Sequence, residues 1–119
     1  MSRRVLLYDP LTFRRESINP KSKGKIPVAI LTTETFDAAT VDPTTVLFGA
    51  TGTEAASVQS ALKDVDGDGD TDMILHFPTP DTGIECGDTL AFLTGATDGG
   101  QVVAGSDSIN TVKRKCRVP

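Results

Sequence analysis

Five aspartates alternate with other residues between positions 64 and 72, and glycines occupy positions 67 and 69. Like charges at this density repel one another unless a cation neutralises them. An EF-hand-type loop binds calcium through oxygens at its positions 1, 3, 5, 7 and 9, with glycine at position 6. The spacing therefore favours a calcium ion over a solvated acidic turn. The predicted ligands in this segment are Asp64, Asp66, Asp68, the backbone carbonyl of Asp70, and Asp72.

The twelfth position of the loop lacks the usual ligand. A helical EF-hand has a bidentate glutamate at this position, whereas this chain has Leu75. The apolar run at 73–77 ends at Pro78, which predicts a buried strand after the loop. We therefore expect the site to be completed by water or by an oxygen donor distant in sequence, for which Asp81, Glu85 and Asp88 are the candidates. Asp88 is the predicted residue, because Gly87 lets the backbone approach closely.

Short apolar runs separated by turn residues predict an all-β fold. Strands are predicted at 4–8, 26–33, 45–48, 56–62, 72–77, 89–94 and 101–104, with one helical turn at 34–39 and a hairpin turn at 98–100. We expect an antiparallel β-sandwich, Ig-like or jelly-roll-like, of about seven strands with a calcium-binding loop. The strands at 26–33 and 89–94 are apolar at successive positions, so both are expected to be buried on two faces.

The length of 119 residues fits one domain. We expect a divergent N-terminal segment at 1–16 that holds the first strand, a sandwich domain at 17–112, and a basic tail at 113–119. The sequence contains no run of about 18 apolar residues, so no membrane span is expected. The first apolar run ends at Asp9, too early for a signal peptide. We therefore expect either a part of a larger secreted protein or a chain whose original start is missing.

Cys86 and Cys116 enclose about thirty residues. In the chain-entropy model, a disulfide closing such a loop contributes roughly 3 to 4 kcal/mol. Oxidising conditions and millimolar calcium occur together outside the cell, so the predicted calcium loop favours a disulfide and a secreted or cell-surface location. Zinc is not expected, because His76 is the single histidine and no C-x-x-C pair occurs.

Charge is unevenly distributed along the chain. Basic residues cluster near both ends, whereas residues 20–112 contain four lysines and fourteen acids. The formal net charge is −4, and few aromatic residues accompany the basic ends. This pattern predicts solvated ends and no nucleic-acid partner.

The order of motifs from Ser17 to Val112 resembles a domain that recurs in secreted and surface proteins of bacteria and archaea. Runs of the types Ser-Ile-Asn-Pro, Pro-Val-Ala-Ile-Leu, Phe-Asp-Ala, Val-Asp-Pro, Asp-Val-Asp-Gly-Asp-Gly-Asp and Asp-Ser-Ile-Asn begin at residues 17, 27, 36, 41, 64 and 107. The resemblance implies an extracellular β-sandwich module with no assigned chemistry. Residues 1–16 lack the family's Ile-Asp-Ile-Lys-Pro-Gly opening. The calcium loop alone also resembles those of integrin-type propeller repeats, dockerins and thrombospondin type 3 repeats.

Three functions are consistent with these features, and the favoured one is a calcium-stabilised structural or adhesion module with a cell-surface or polysaccharide ligand. The second is a calcium-dependent carbohydrate-binding module, whose metal would contact sugar hydroxyls because the chain has no Trp and one Tyr for a sugar platform. The third is a small hydrolytic enzyme. No G-x-S-x-G motif occurs, and His76 is predicted to pack in a strand on the face of Ile74, so no catalytic residue is assigned.

Overall fold

The computed structural model describes residues 5–7, 17–18, 21, 23–34, 36–65 and 67–111, with the backbone alone at 5–7, 17–18, 110 and 111. The strands are β1 (Val5–Leu7), β2 (Ser17–Ile18), β3 (Lys25–Ile30), β4 (Leu47–Gly49), β5 (Ala55–Ala56), β6 (Gln59–Lys63), β7 (Asp72–Pro78), β8 (Leu90–Ala96), β9 (Val102–Ser108) and β10 (Asn110–Thr111). Three single-turn 3₁₀ helices accompany them: η1 (Ala38–Thr40), η2 (Pro43–Thr45) and η3 (Thr79–Asp81).

Most of the strands form two four-stranded antiparallel sheets. The strand order is β1-β3-β7-β6 in the first sheet and β5-β4-β8-β9 in the second. In the first sheet Val28 lies opposite Leu75, and in the second Phe48 lies opposite Leu93. The predicted all-β sandwich is therefore confirmed.

The main core joins side chains from both sheets. Its members include Val28, Leu75 and Phe77 from the first sheet and Phe48 and Leu93 from the second, all of them fully buried. The rings of Phe48 and Phe77 contact each other with their centroids 5.1 Å apart and their planes tilted by 32°. Tilted aromatic pairs at this separation stabilise a core beyond the area they bury.

Burial of β3 on both faces is confirmed. Val28 and Ile30 belong to the main core. The alternate residues belong to a second buried cluster, which consists of Ala29, Leu31, Val65 and Ile74. Because successive side chains of a strand point to opposite faces, β3 is covered on both sides.

The corresponding prediction is wrong for β8. Ala91 and Leu93 are buried, but Leu90 and Phe92 are exposed. These two alternate residues share the face of the second sheet that points away from the core. Apolar residues at successive positions of β8 therefore do not mean that both faces of the strand are buried.

The predicted strand at 56–62 is divided between the two sheets. β5 pairs with β4, whereas β6 pairs with β7. The chain crosses between the sheets at Ser57 and Val58, where the N–H of Val58 donates to the carbonyl of His76 at 2.9 Å. Small and apolar residues continue through this crossing, so the sequence does not mark it.

Aspartates begin two of the short helices. The predicted helical turn at 34–39 is displaced to η1, where the Asp37 carboxylate accepts from the N–H of Ala39 at 3.0 Å. In η2 the Asp42 carboxylate accepts from the N–H and the hydroxyl of Thr44, and both bonds lower the pKa of Asp42. These bonds satisfy backbone groups that short helices leave without partners.

The predicted hairpin at 98–100 is confirmed, since β8 and β9 pair on either side of it. Gly100 adopts a positive φ of 87° there.

The two Ser-Ile-Asn runs, which begin at residues 17 and 108, also meet. β2 pairs in parallel with β10, and Ser17 lies opposite Asn110. Most of residues 1–16 and all of 113–119 lie outside the described residues, so the domain division stays a prediction. None of the described helices is long and apolar enough to cross a membrane.

Candidate metal centre

The acidic loop is the tip of the β6–β7 hairpin. β6 ends at Lys63 and β7 begins at Asp72, and these two residues lie opposite each other in the antiparallel ladder. A strand rather than a helix therefore follows the loop, as Leu75 and Pro78 predicted. Residues 64–71 connect the two paired strands.

Three of the predicted ligands come together at this tip. Oxygens from the carboxylates of Asp64, Asp68 and Asp72 all lie within 4.8 Å of one another. Asp64 and Asp68 are exposed, whereas Asp72 is buried. Three carboxylates in this arrangement can hold a metal ion, and an all-oxygen donor set suits hard cations better than zinc or copper.

Asp72 is the buried member of the group, with 0% of its surface exposed. One of its oxygens accepts from the N–H of Thr32 at 2.8 Å, and the other accepts from the N–H of Val65 at 3.1 Å. Backbone donors stabilise an ionised carboxylate in a buried position. Asp72 thus joins the beginning of β7 to the chain that follows β3 and to the loop itself.

Asp64 organises the first half of the loop. Its two carboxylate oxygens accept from the N–H groups of Gly67 and Gly69, both at 2.9 Å. These glycines have φ values of +75° and +91°, in the region that disfavours other L-residues. The fold of the loop therefore depends on glycine backbone freedom at the two positions that the sequence marked.

Asp68 continues this pattern toward the end of the loop. One of its oxygens accepts from the N–H of Asp70 at 2.9 Å. The Asp70 carboxylate is not part of the close group, and the predicted contribution of Asp70 is its backbone carbonyl, which stays a prediction. Asp66 lies outside the described residues, so its predicted role also stays a prediction.

Asp88 is not a member of the close group either. One of its carboxylate oxygens accepts from the N–H of Glu85 at 2.9 Å, and its own N–H donates to the Glu85 carbonyl at 3.1 Å. These bonds close a turn between Glu85 and Asp88. The assignment of Asp88 as a further ligand stays a prediction.

Thr32 supports the site and was not identified from the sequence. Besides its N–H bond to Asp72, its hydroxyl donates to the carbonyl of Thr71 and accepts from the N–H of Ala38 at 2.9 Å. The residue thus connects the loop to η1. Thr32 and Asp72 are forty residues apart in the chain, and no local pattern singles out Thr32 among neighbouring threonines.

A second carboxylate-centred loop lies at 51–54. The Glu54 carboxylate accepts from the N–H groups of Thr51, Gly52 and Thr53 at 3.0 to 3.1 Å. Burial raises the pKa of Glu54, but the hydrogen bonds from Thr51, Thr53 and Gly52 outweigh this effect, so its pKa is lowered. One carboxylate is sufficient to hold this loop without a second acid.

His76 is half-buried in β7 at the sheet position predicted for it. Its Nδ1 atom is buried and has no hydrogen-bond partner among the described residues. Burial lowers the pKa of His76, and the positive charge of Lys25 lowers it further. The imidazole is therefore neutral over a wider pH range than a solvated histidine.

Cys86 is not a free thiol. Cys116, with which the sequence predicts a disulfide, lies outside the described residues. The pairing of the two cysteines stays a prediction.

No family model, curated protein or solved structure matches this chain.

Proposed function

We propose that this chain is a calcium-binding β-sandwich module of a secreted or cell-surface protein, with a structural or adhesive role. The observation that carries the proposal is the group of three carboxylates, Asp64, Asp68 and Asp72, within 4.8 Å at a hairpin tip. A bound ion would neutralise their repulsion and connect β6, β7 and the end of β3. The metal would thus stabilise the fold by binding the native state alone.

Calcium fits this loop better than magnesium does. Magnesium requires nearly octahedral geometry and retains several waters, whereas calcium accepts six to eight oxygens in a flexible arrangement. Alternating aspartates from 64 to 72 supply many oxygens from one short segment. Because Asp64 and Asp68 are exposed, an ion held by the three carboxylates would be partly open to water.

The extracellular setting is supported by the order of motifs between Ser17 and Val112. That order resembles a domain of secreted and surface proteins, and the cysteine pair is compatible with an oxidising compartment. Calcium at extracellular concentrations also suits the weak sites of extracellular modules.

Calorimetric titration and thermal unfolding test the metal assignment. At free calcium one hundred times the dissociation constant, we expect a gain of about 2.7 kcal/mol in the free energy of unfolding, or several degrees in Tm. Asp68→Asn should remove most of this gain. Asp98→Asn is the control, because Asp98 is exposed in the turn between β8 and β9 and belongs to no predicted ligand set. Identical unfolding of the wild-type protein in calcium and in EDTA would exclude the proposal.

Calcium-dependent carbohydrate binding is the second candidate. The exposure of Asp64 and Asp68 favours it, because an ion held by them would be accessible to sugar hydroxyls. A glycan panel probed in calcium and in EDTA tests this function separately from metal binding. Calcium binding without retention of any glycan would leave the structural role as the proposed function.

A further inference from the structure

The β6 strand is an edge of the first sheet in the described part of the chain. All five of its residues are exposed. On the opposite side of the sandwich, β1 and β9 contact each other and close the gap between the sheets. Because an edge strand directs alternate N–H and C=O groups away from its sheet, β6 offers hydrogen bonds to another strand.

Two adjoining hollows lie beside β6. One measures about 260 Å³ and includes Val58, and the other measures about 530 Å³ and includes Leu62. Pro43 and Ser60 border both of them. We refer to these two hollows, which meet at Pro43 and Ser60, together as the groove.

The exposed apolar residues of this segment are arranged symmetrically about Ser60. Val58 is 56% exposed and Leu62 is 55% exposed, and each is two positions from Ser60. An antiparallel strand of the same sequence centred on Ser60 would place its Leu62 beside Val58 and its Val58 beside Leu62. The N–H of Val58 is already donated to the His76 carbonyl, so the hydrogen bonds between the two strands would be donated by residues of β6 rather than by Val58. Cross-strand apolar pairs of this kind stabilise antiparallel sheets.

We propose that a second copy of this chain docks here, so that two β6 strands pair antiparallel about a twofold axis at Ser60. Each copy would place its Leu62 and Val58 in the groove of the other. The pairing would join two four-stranded sheets into a continuous one.

The charges of β6 and of the acidic loop allow a second copy in this orientation. The β6 sequence contains no acid and a single lysine, Lys63, at its end. Antiparallel pairing places the two Asp64 residues eight strand positions apart, which is about 27 Å. This distance exceeds the screening length of about 8 Å at physiological salt. The acidic loops therefore do not oppose the association.

Cysteine cross-linking tests the predicted register. Ser60 is the residue that would face its own counterpart, and residues directly opposite in an antiparallel pair have Cα atoms about 4.5 to 5.5 Å apart, within reach of a disulfide. Under mild oxidation, Ser60→Cys should give a covalent dimer much faster than Val102→Cys does. Val102 is the matched control, because it is 66% exposed in β9 of the other sheet.

Sedimentation velocity tests the association itself. A short edge-to-edge interface predicts a weak dimer, so the wild-type protein is examined from about 10 µM to about 1 mM in calcium buffer. Leu62→Lys should lower the dimer fraction, and in the Ser60→Cys background it should slow cross-linking by about tenfold or more. Val58→Lys should act in the same way. Melting curves verify that these exposed substitutions leave the fold intact.

Each outcome decides the proposal. Concentration-dependent dimers that Leu62→Lys and Val58→Lys weaken, together with selective cross-linking at Ser60, support it. A monomer at every concentration, or a dimer that neither lysine variant affects, overturns it. Equal cross-linking of Ser60→Cys and Val102→Cys also overturns it. Because all samples contain calcium, these results do not depend on the metal assignment.

Discussion

Two loops of this molecule are organised by carboxylates that accept backbone hydrogen bonds, but they differ in the ratio of charges to donors. At 51–54, one carboxylate receives the N–H groups of Thr51, Gly52 and Thr53. At 64–72, three carboxylates lie within 4.8 Å. Hydrogen bonds can satisfy an isolated carboxylate, but they do not remove the repulsion among three. The first loop thus has a single charge with several donors, whereas the second has three close carboxylates that could hold a metal ion.

The largest expected effect is that of Asp72→Ala. This change removes the acceptor for the N–H groups of Thr32 and Val65 at a buried position. An unsatisfied buried donor costs about 1 to 3 kcal/mol, so we expect a loss of about 3 kcal/mol in the free energy of unfolding, in EDTA as well as in calcium. Urea unfolding in both buffers measures it. A loss confined to the calcium buffer would mean that Asp72 acts solely as a ligand.

Removal of the Glu54 carboxylate should have a stability effect that does not depend on calcium, unlike substitutions in the acidic loop. We expect Glu54→Ala to cost about 1 to 2 kcal/mol through the lost charge-assisted hydrogen bonds. The cost should be the same in calcium and in EDTA, and calcium affinity should not change. Asp68→Asn should show the opposite pattern, with little effect in EDTA and loss of the calcium gain. A calcium-dependent effect of Glu54→Ala would contradict the proposed difference between the loops.

Part of the acidic loop was predictable from the sequence because its information is local. The spacing of Asp64, Asp68 and Asp72 and the glycines between them anticipate both the close carboxylates and the positive φ values. The long-range partner of Asp72 was not predictable, because Thr32 reaches it only after β3 and β7 pair. Local spacing specifies a turn, whereas long-range support depends on the whole sheet.

The fold shows the same division between local and long-range information. The turn at Asp98 and the burial of β3 follow from nearby residues, and both predictions are confirmed. The exposure of Phe92 and the crossing at Val58 were missed, because each depends on which layer or sheet lies alongside. Apolar alternation identifies a strand but does not identify the neighbours that cover it.

Glycine substitution offers a closer comparison between the acidic loop and a distant turn. Gly69 and Gly100 have φ values of +91° and +87°, and a Cβ added at either would meet nothing within 4 Å. Alanine at either position should therefore cost about 1 kcal/mol of stability through backbone strain alone. Calorimetry should show weaker calcium binding for Gly69→Ala and unchanged binding for Gly100→Ala. Equal calcium affinities for the two variants would show that the backbone conformation at Gly69 does not affect metal binding.

Asp88→Asn tests whether the metal site extends beyond the hairpin tip. The Asp88 carboxylate accepts from the N–H of Glu85, so its replacement should cost less than about 1 kcal/mol of stability in EDTA. If Asp88 is the further ligand predicted from the sequence, calcium affinity should fall about as much as it does for Asp72→Asn. Unchanged affinity would remove Asp88 from the predicted ligands.

The smallest expected effect is the change, on acidification, in the stability difference between the wild-type protein and Glu54→Gln. The pKa of Glu54 is lowered from the ordinary value of 4.5, so its contribution to stability is present above that value and is lost as the pH falls through the folded-state pKa. In EDTA, the stability advantage of the wild-type protein over Glu54→Gln should therefore be constant near neutrality and decrease below pH 4.5. Thermal unfolding of both proteins at several pH values measures this decrease. An advantage that does not change on acidification would show that the Glu54 loop is held by shape rather than by charge.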